Sequence, residues 1–149
     1  MERRFEASPD RRRVARGGRR ATDRPGKHPT LLIAESYAAT RTVCVRYLDH
    51  FGFRVEEAGD GREAIAKITA DPPHAILVEQ SLPSLPAVEM SRWLVEHPQT
   101  QGISLIVMTT EFKGANVAFP RNVSVLVKPF PLAAMLEKIR QVLRSQVAT

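Results

Sequence analysis

The sequence predicts an α/β fold: a doubly wound sheet of five parallel strands with helices on both faces. Two observations carry that expectation. Short apolar runs alternate along the chain with segments of helical periodicity, which is the pattern of successive βαβ units. The runs are also apolar at nearly every residue, as expected of strands covered on both sides. Right-handed crossovers then wind the chain into a sandwich.

The elements follow in order. Leu31-Leu32-Ile33-Ala34 is the first strand and stops at Glu35-Ser36. Residues 37–51 follow as a helix, with Val43, Tyr47, Leu48 and Phe51 at helical spacing and Gly52 near its end. Phe53 to Ala58 alternates weakly and predicts a short strand. Asp60-Gly61-Arg62-Glu63 reads as a helix start, with Asp60 as N-cap and Glu63 completing a capping box. That helix turns Ala64, Ile65 and Ile68 inward and stops before Pro72-Pro73.

Ala75 to Val78 is the next strand, ending at Glu79. Residues 86–96 form a helix with Pro86 in its first turn, Val88, Leu94 and Val95 among its apolar positions, and Pro98 beyond it. Ile103 to Met108 and Val123 to Val127 are the last two strands, ending at Thr109 and at Lys128-Pro129. The final helix starts near Pro131 and buries Leu132, Met135, Leu136, Ile139, Val142 and Leu143.

Charge divides the chain in two. Residues 1–28 hold ten Lys/Arg against Glu2, Glu6, Asp10 and Asp23, which accounts for the whole net charge of +6; residues 29–149 carry twelve of each sign. The basic leader has few apolar residues and no period, so it reads as a disordered tail in front of a folded domain over 29–146. The plainer reading of its charge is a solvated, self-repelling extension, since its Arg runs carry no interleaved aromatics; the sharper one is an electrostatic contact with nucleic acid, an anionic membrane surface or an acidic partner. A single cysteine, Cys44, excludes an internal disulfide framework and a thiolate zinc site. No stretch reaches the roughly 20 apolar residues of a membrane helix, and no apolar segment follows the basic start as a secretory signal requires. The expected product is a soluble, cytoplasmic protein.

In open α/β sheets, ligands sit beyond the carboxyl ends of the strands. The polar residues that follow the apolar runs are Glu35 and Ser36, then Glu79, Thr109 and Lys128. Two carboxylates, two hydroxyls and an ammonium meeting at one edge suit a hard cation or a phosphoryl group. Taken singly, each has a plainer use: Ser36 as a helix cap, Thr109 closing a strand, Glu79 and Lys128 as an ion pair.

The segments Leu31-Leu32-Ile33-Ala34-Glu35-Ser36, Glu57-Ala58-Gly59-Asp60-Gly61-Arg62-Glu63-Ala64, Ile76-Leu77-Val78-Glu79-Gln80-Ser81-Leu82-Pro83, Ile106-Val107-Met108-Thr109-Thr110 and Val127-Lys128-Pro129-Phe130 together resemble a response-regulator receiver domain. The resemblance implies the flavodoxin-like fold of chemotaxis regulators. It also implies phosphoryl transfer from a histidine kinase to an acid at the end of the third strand. By that resemblance the acceptor position is Glu79, the acidic pair that helps hold Mg²⁺ falls on Glu35 and Ser36, and the phosphoryl contacts fall on Thr109 and Lys128.

Several positions depart from the family pattern. Glu79 replaces aspartate, and its extra methylene displaces the carboxylate by about 1.5 Å, where near-attack separations are only about 3–3.5 Å. Ser36 removes a carboxylate from the metal shell, which leaves Glu35 and Glu79 as a weak Mg²⁺ site. Val125 stands where the family has an aromatic residue three before the lysine. Residues 111–122 carry Gly114, Asn116, Pro120 and Asn122 without a helical stripe, so the fourth helix is expected to be truncated or replaced by a loop.

The leading reading is therefore a pseudo-receiver: a stand-alone module of the two-component phosphorelay type, phosphorylation-independent, acting by protein–protein interaction, with no resident cofactor and no enzymatic activity. Its partners are a histidine kinase or a downstream signalling protein. In that reading Glu79 reaches toward Lys128 as a permanent anion. One alternative is a phosphorylatable receiver that uses Glu35 and Glu79 with Mg²⁺; another is a nucleic-acid-binding protein acting through residues 1–28. An enzyme or flavin carrier fits poorly, since His28, His50, His74 and His97 lie away from the strand carboxyl ends and no Gly-rich phosphate cradle follows the first strand.

Overall fold

An unbroken apolar run is stable only where both of its faces are covered, and that condition sets the architecture. The computed structural model describes residues 29–110 and 119–148. Strands β1 (Thr30–Ala34), β2 (Arg54–Ala58), β3 (Ala75–Glu79), β4 (Ser104–Thr109) and β5 (Ser124–Val127) form one sheet in the order β2-β1-β3-β4-β5. Every neighbouring pair is parallel. Helices α1 (Ala38–His50), α2 (Gly61–Ala70), α3 (Ala87–Glu96) and α4 (Leu132–Ala148) flank it, with a 3₁₀ turn at Pro98–Thr100. The doubly wound five-stranded parallel sheet expected from the sequence is the fold observed.

Successive strand residues point to opposite faces, so β1 feeds two cores at once. Leu31 and Ile33 join Cys44, Leu48, Leu77, Ile106, Met135 and Ile139 on one side. Leu32 and Ala34 join Ala64, Ile68, Ile76, Met90 and Leu94 on the other. Helices α1 and α4 cover the first cluster, α2 and α3 the second. In α4 the buried positions are Met135, Leu136 and Ile139, while Leu132, Val142 and Leu143 pack at the margin.

Helix α1 departs from expectation. Its core-facing residues are Cys44 and Leu48, whereas Val43 is 51% and Phe51 43% exposed. The stripe 43/47 lies one residue, about 100°, from the stripe 44/48, and the apolar pattern of this helix is too even to choose between them. Phe51 instead packs beyond the helix end on Tyr47 and His50, with ring centroids 5.0 and 5.1 Å apart, and the Arg140 guanidinium lies 5.8 Å over its ring. Burial raises the Cys44 thiol above its ordinary range; the Glu35 carboxylate adds to this and Lys128 opposes it.

The start of α2 carries a side-chain cap, which the starts of α1 and α3 lack. Asp60 accepts from the Glu63 N–H at 2.8 Å, and the Glu63 carboxylate accepts from the Gly59 N–H at 2.9 Å, one residue earlier than a standard capping box. The Gly61 N–H donates to the Pro83 carbonyl at 2.7 Å, and the Arg62 N–H to Ser84 Oγ at 3.1 Å. Asp60→Ala is expected to lower stability by about 1 kcal/mol in urea unfolding at neutral pH. The Gly59 hydrogen bond holds the Glu63 carboxyl below its ordinary value. Its contribution is therefore present above the unfolded carboxyl range and lost as pH falls through the lowered folded value. Glu63→Gln should remove that acid-side loss from the stability profile.

The segment expected to lack a full fourth helix falls mainly on residues 111–118, outside the described residues; residues 119–123 carry no helix. The disordered-tail expectation for residues 1–28 also lies outside them.

Candidate functional site

The first strand delivers its terminal acid into the interior. Glu35 is 1% exposed, its N–H donating to the Ala58 carbonyl at 2.9 Å across the β1–β2 pair. A carboxylate at that depth needs partners on both oxygens. Oε1 takes the Lys128 ammonium at 2.6 Å, and Oε2 accepts the Tyr37 N–H at 3.1 Å. Lys128 reaches it from the end of β5, where its own N–H donates to the Thr109 carbonyl at 2.7 Å.

A second pair lies beside the first. Glu79 ends β3 half-buried, and its Oε1 accepts both the Ser36 hydroxyl at 2.8 Å and the Ser36 N–H at 2.9 Å. Thr109 ends β4 and is 5% exposed. Glu79 lies in register with Met108, and the Gln80 N–H donates to the Met108 carbonyl at 2.8 Å, which brings the ends of β3 and β4 together.

The five sequence-predicted residues thus stand on the carboxyl ends of neighbouring strands, but they pair differently from expectation. Lys128 pairs with Glu35 and not with Glu79, whose oxygen is turned to Ser36. Ser36 does not cap α1 either. The N-cap of α1 is Tyr37, which makes no side-chain cap bond. The physical reason is burial: the deepest carboxylate has the strongest demand for a cation, and the shallower one is satisfied by neutral donors.

Sequence reasoning missed Arg41. Its Nη1 donates to the Glu35 carbonyl at 2.6 Å, and its Nε meets Glu57 Oε1 at 2.9 Å, tying α1 to the ends of β1 and β2. A basic residue in the first turn of a helix opposes the macrodipole, and that placement was the available signal. The loop after Glu79 is held by Leu82, 1% exposed, and by the Ala87 N–H donating to the Gln80 carbonyl at 3.0 Å.

Mg²⁺ requires near-octahedral oxygen donors at about 2.0–2.1 Å. Here both Glu35 oxygens and Glu79 Oε1 already accept hydrogen bonds from the chain, and position 36 offers a neutral hydroxyl. Among the described residues no group of three or more His, Cys, Asp or Glu is arranged to hold a metal ion. The residues in this arrangement do not fit Mg²⁺.

Comparison with known proteins gives a consistent set of likenesses. The family model of the response regulator receiver domain matches residues 31–140. Response regulator MprA of Mycolicibacterium vanbaalenii is 29% identical over 117 residues, 76% of this chain and 50% of that protein. The chain spans about half the length of the curated relatives it matches. Among solved structures, the chemotaxis response regulator CheY4 of Vibrio cholerae superposes with a TM-score of 0.69 at 25% identity, covering 77% of this chain and 98% of that one. The receiver domain of a sensor histidine kinase from Pseudomonas aeruginosa, solved with a magnesium ion coordinated in its active site cleft, shares the fold at a TM-score of 0.68 and 20% identity, over 78% of this chain and 98% of that one. No helix among the described residues is long and apolar enough to cross a membrane.

Proposed function

The chain belongs to the response regulator receiver domain family of two-component signalling, and from that premise we propose that it signals without phosphorylation of Glu79, through contact with a partner protein. One observation carries the reading: the Glu79 carboxylate, at the acceptor position, spends one oxygen on two Ser36 donors. In-line transfer needs that carboxylate free and aimed at phosphorus within about 3–3.5 Å. A glutamate whose Oε1 holds two Ser36 donors has to give up both bonds before that oxygen can attack. The standing negative charge at the rim is then a fixed feature of the surface a partner reads, and Lys128, engaged by Glu35, has no phosphoryl group to hold.

The partner is a histidine kinase or a downstream protein of the same signalling class, and the site of action is the cytoplasm, where such relays operate. The module is a binding element and not an enzyme. Incubation of the full chain with acetyl phosphate and Mg²⁺, followed by intact-mass measurement, is expected to leave the mass unchanged. A hydroxylamine-labile adduct of one phosphoryl mass, mapped to Glu79, overturns the reading and restores the phosphorylatable alternative.

A further inference from the structure

We infer that Lys128 replaces the divalent cation in this chain: its ammonium neutralises the buried Glu35 carboxylate, so Mg²⁺ is excluded from the rim rather than bound there. The inference goes beyond the proposed function, which concerns the acceptor alone.

Three observations support it. Glu35 is 1% exposed, and its Oε1 lies 2.6 Å from Lys128 Nζ. A cation placed within bonding distance of that oxygen would share it with the ammonium, and two like charges on one buried oxygen repel strongly at the reduced dielectric of the interior. The second Glu35 oxygen accepts the N–H of Tyr37, the N-cap of α1, so a metal drawn to that oxygen competes with this bond. Glu79 Oε1 is doubly engaged, and Ser36 contributes no charge to offset the ammonium.

The same geometry gives the pair a mechanical role. Lys128 belongs to the segment entering α4, while Glu35 belongs to the segment entering α1. Their contact spans 93 positions of sequence and ties the two segments together at the rim. A receiver whose loops are held by a bound metal changes with the metal's occupancy. This one keeps a single arrangement whatever the Mg²⁺ concentration.

Thermal unfolding of the full chain with MgCl₂ titrated to about 20 mM, ionic strength held with NaCl, tests the inference. The unaltered chain should show no saturable rise in Tm; a saturable rise overturns the proposal. Ser36→Asp, which restores a second carboxylate but keeps the ammonium, should also show none. Lys128→Met/Ser36→Asp should gain a saturable rise of about 5 °C. If Ser36→Asp alone gains as much as the double variant, or the double variant gains nothing, Lys128 is not the excluding cation. Should the double variant fail to fold, the unaltered chain and Ser36→Asp still decide, since a rise in either refutes the inference. These readouts are independent of the acetyl phosphate measurement, so Mg²⁺ binding can sink this inference while the reading of Glu79 stands.

Discussion

Lys128→Met is expected to cost about 3 kcal/mol of folding stability, because it leaves a carboxylate buried without its counter-charge. Lys128 is itself 20% exposed, so water reaches its side of the pair, and the loss falls at the lower end of the range for broken buried pairs. For a domain of this size the midpoint of thermal unfolding should drop by about 10 °C. The informative comparison is the double variant Glu35→Gln/Lys128→Met, which removes both charges and keeps their volumes. It should recover most of the loss, since exchanging a buried pair for neutral residues is often near neutral. A double-mutant cycle in urea should therefore show coupling of about 2 kcal/mol. Coupling below about 0.5 kcal/mol would mean that the pair behaves as a solvated surface contact.

Gly61→Ala should be damaging for a different reason. A Cβ built on Gly61 would lie 2.1 Å from Leu85 Cβ, 2.8 Å from Leu85 N and 2.9 Å from Leu85 Cα. Two of those three atoms are backbone, so no change of rotamer relieves the overlap. Alanine gains about 1 kcal/mol of helix propensity over glycine, but overpacking against main chain costs typically 1–3 kcal/mol and the contact here is severe. The expected net loss is about 2 kcal/mol, read as a lower urea midpoint with an unchanged slope. Leu85→Gly should not rescue it fully, because the backbone contacts remain. Gly102→Ala is the control: nothing lies within 4 Å of its added methyl, and stability should change by less than about 0.5 kcal/mol. Equal effects at the two positions would refute the steric account.

Much of the fold was legible in the sequence, for an identifiable reason. Strands β1, β3 and β4 are buried on both faces, and Leu31 to Ala34, Ala75 to Val78 and Leu105 to Met108 accordingly read as unbroken apolar runs. Strand β2, at the sheet edge, has the sequence Arg-Val-Glu-Glu-Ala and left only a weak signal. The facing of α1 was not legible, since Val43 and Cys44 are equally apolar and only the packing partners choose between them. The five rim positions were legible because strand ends are marked by the first polar residue after each run. Their pairing was not. Whether Lys128 meets Glu35 or Glu79 depends on relative depth, and depth is a property of three dimensions. The approach of Gly61 to Leu85 likewise joins two segments that no local pattern connects.

The distance in sequence between Glu35 and Lys128 bears on how the molecule is made. During synthesis the first strand leaves the ribosome long before the last, and closing a loop of 93 positions carries an entropic cost that local contacts do not. Until residue 128 has emerged, the acid at the end of β1 has no ammonium to meet and stays hydrated. A nascent chain that ends short of that point therefore keeps the carboxyl end of β1 open. Completion of the sheet and concealment of that charge become a single late event, timed by translation of the final strand.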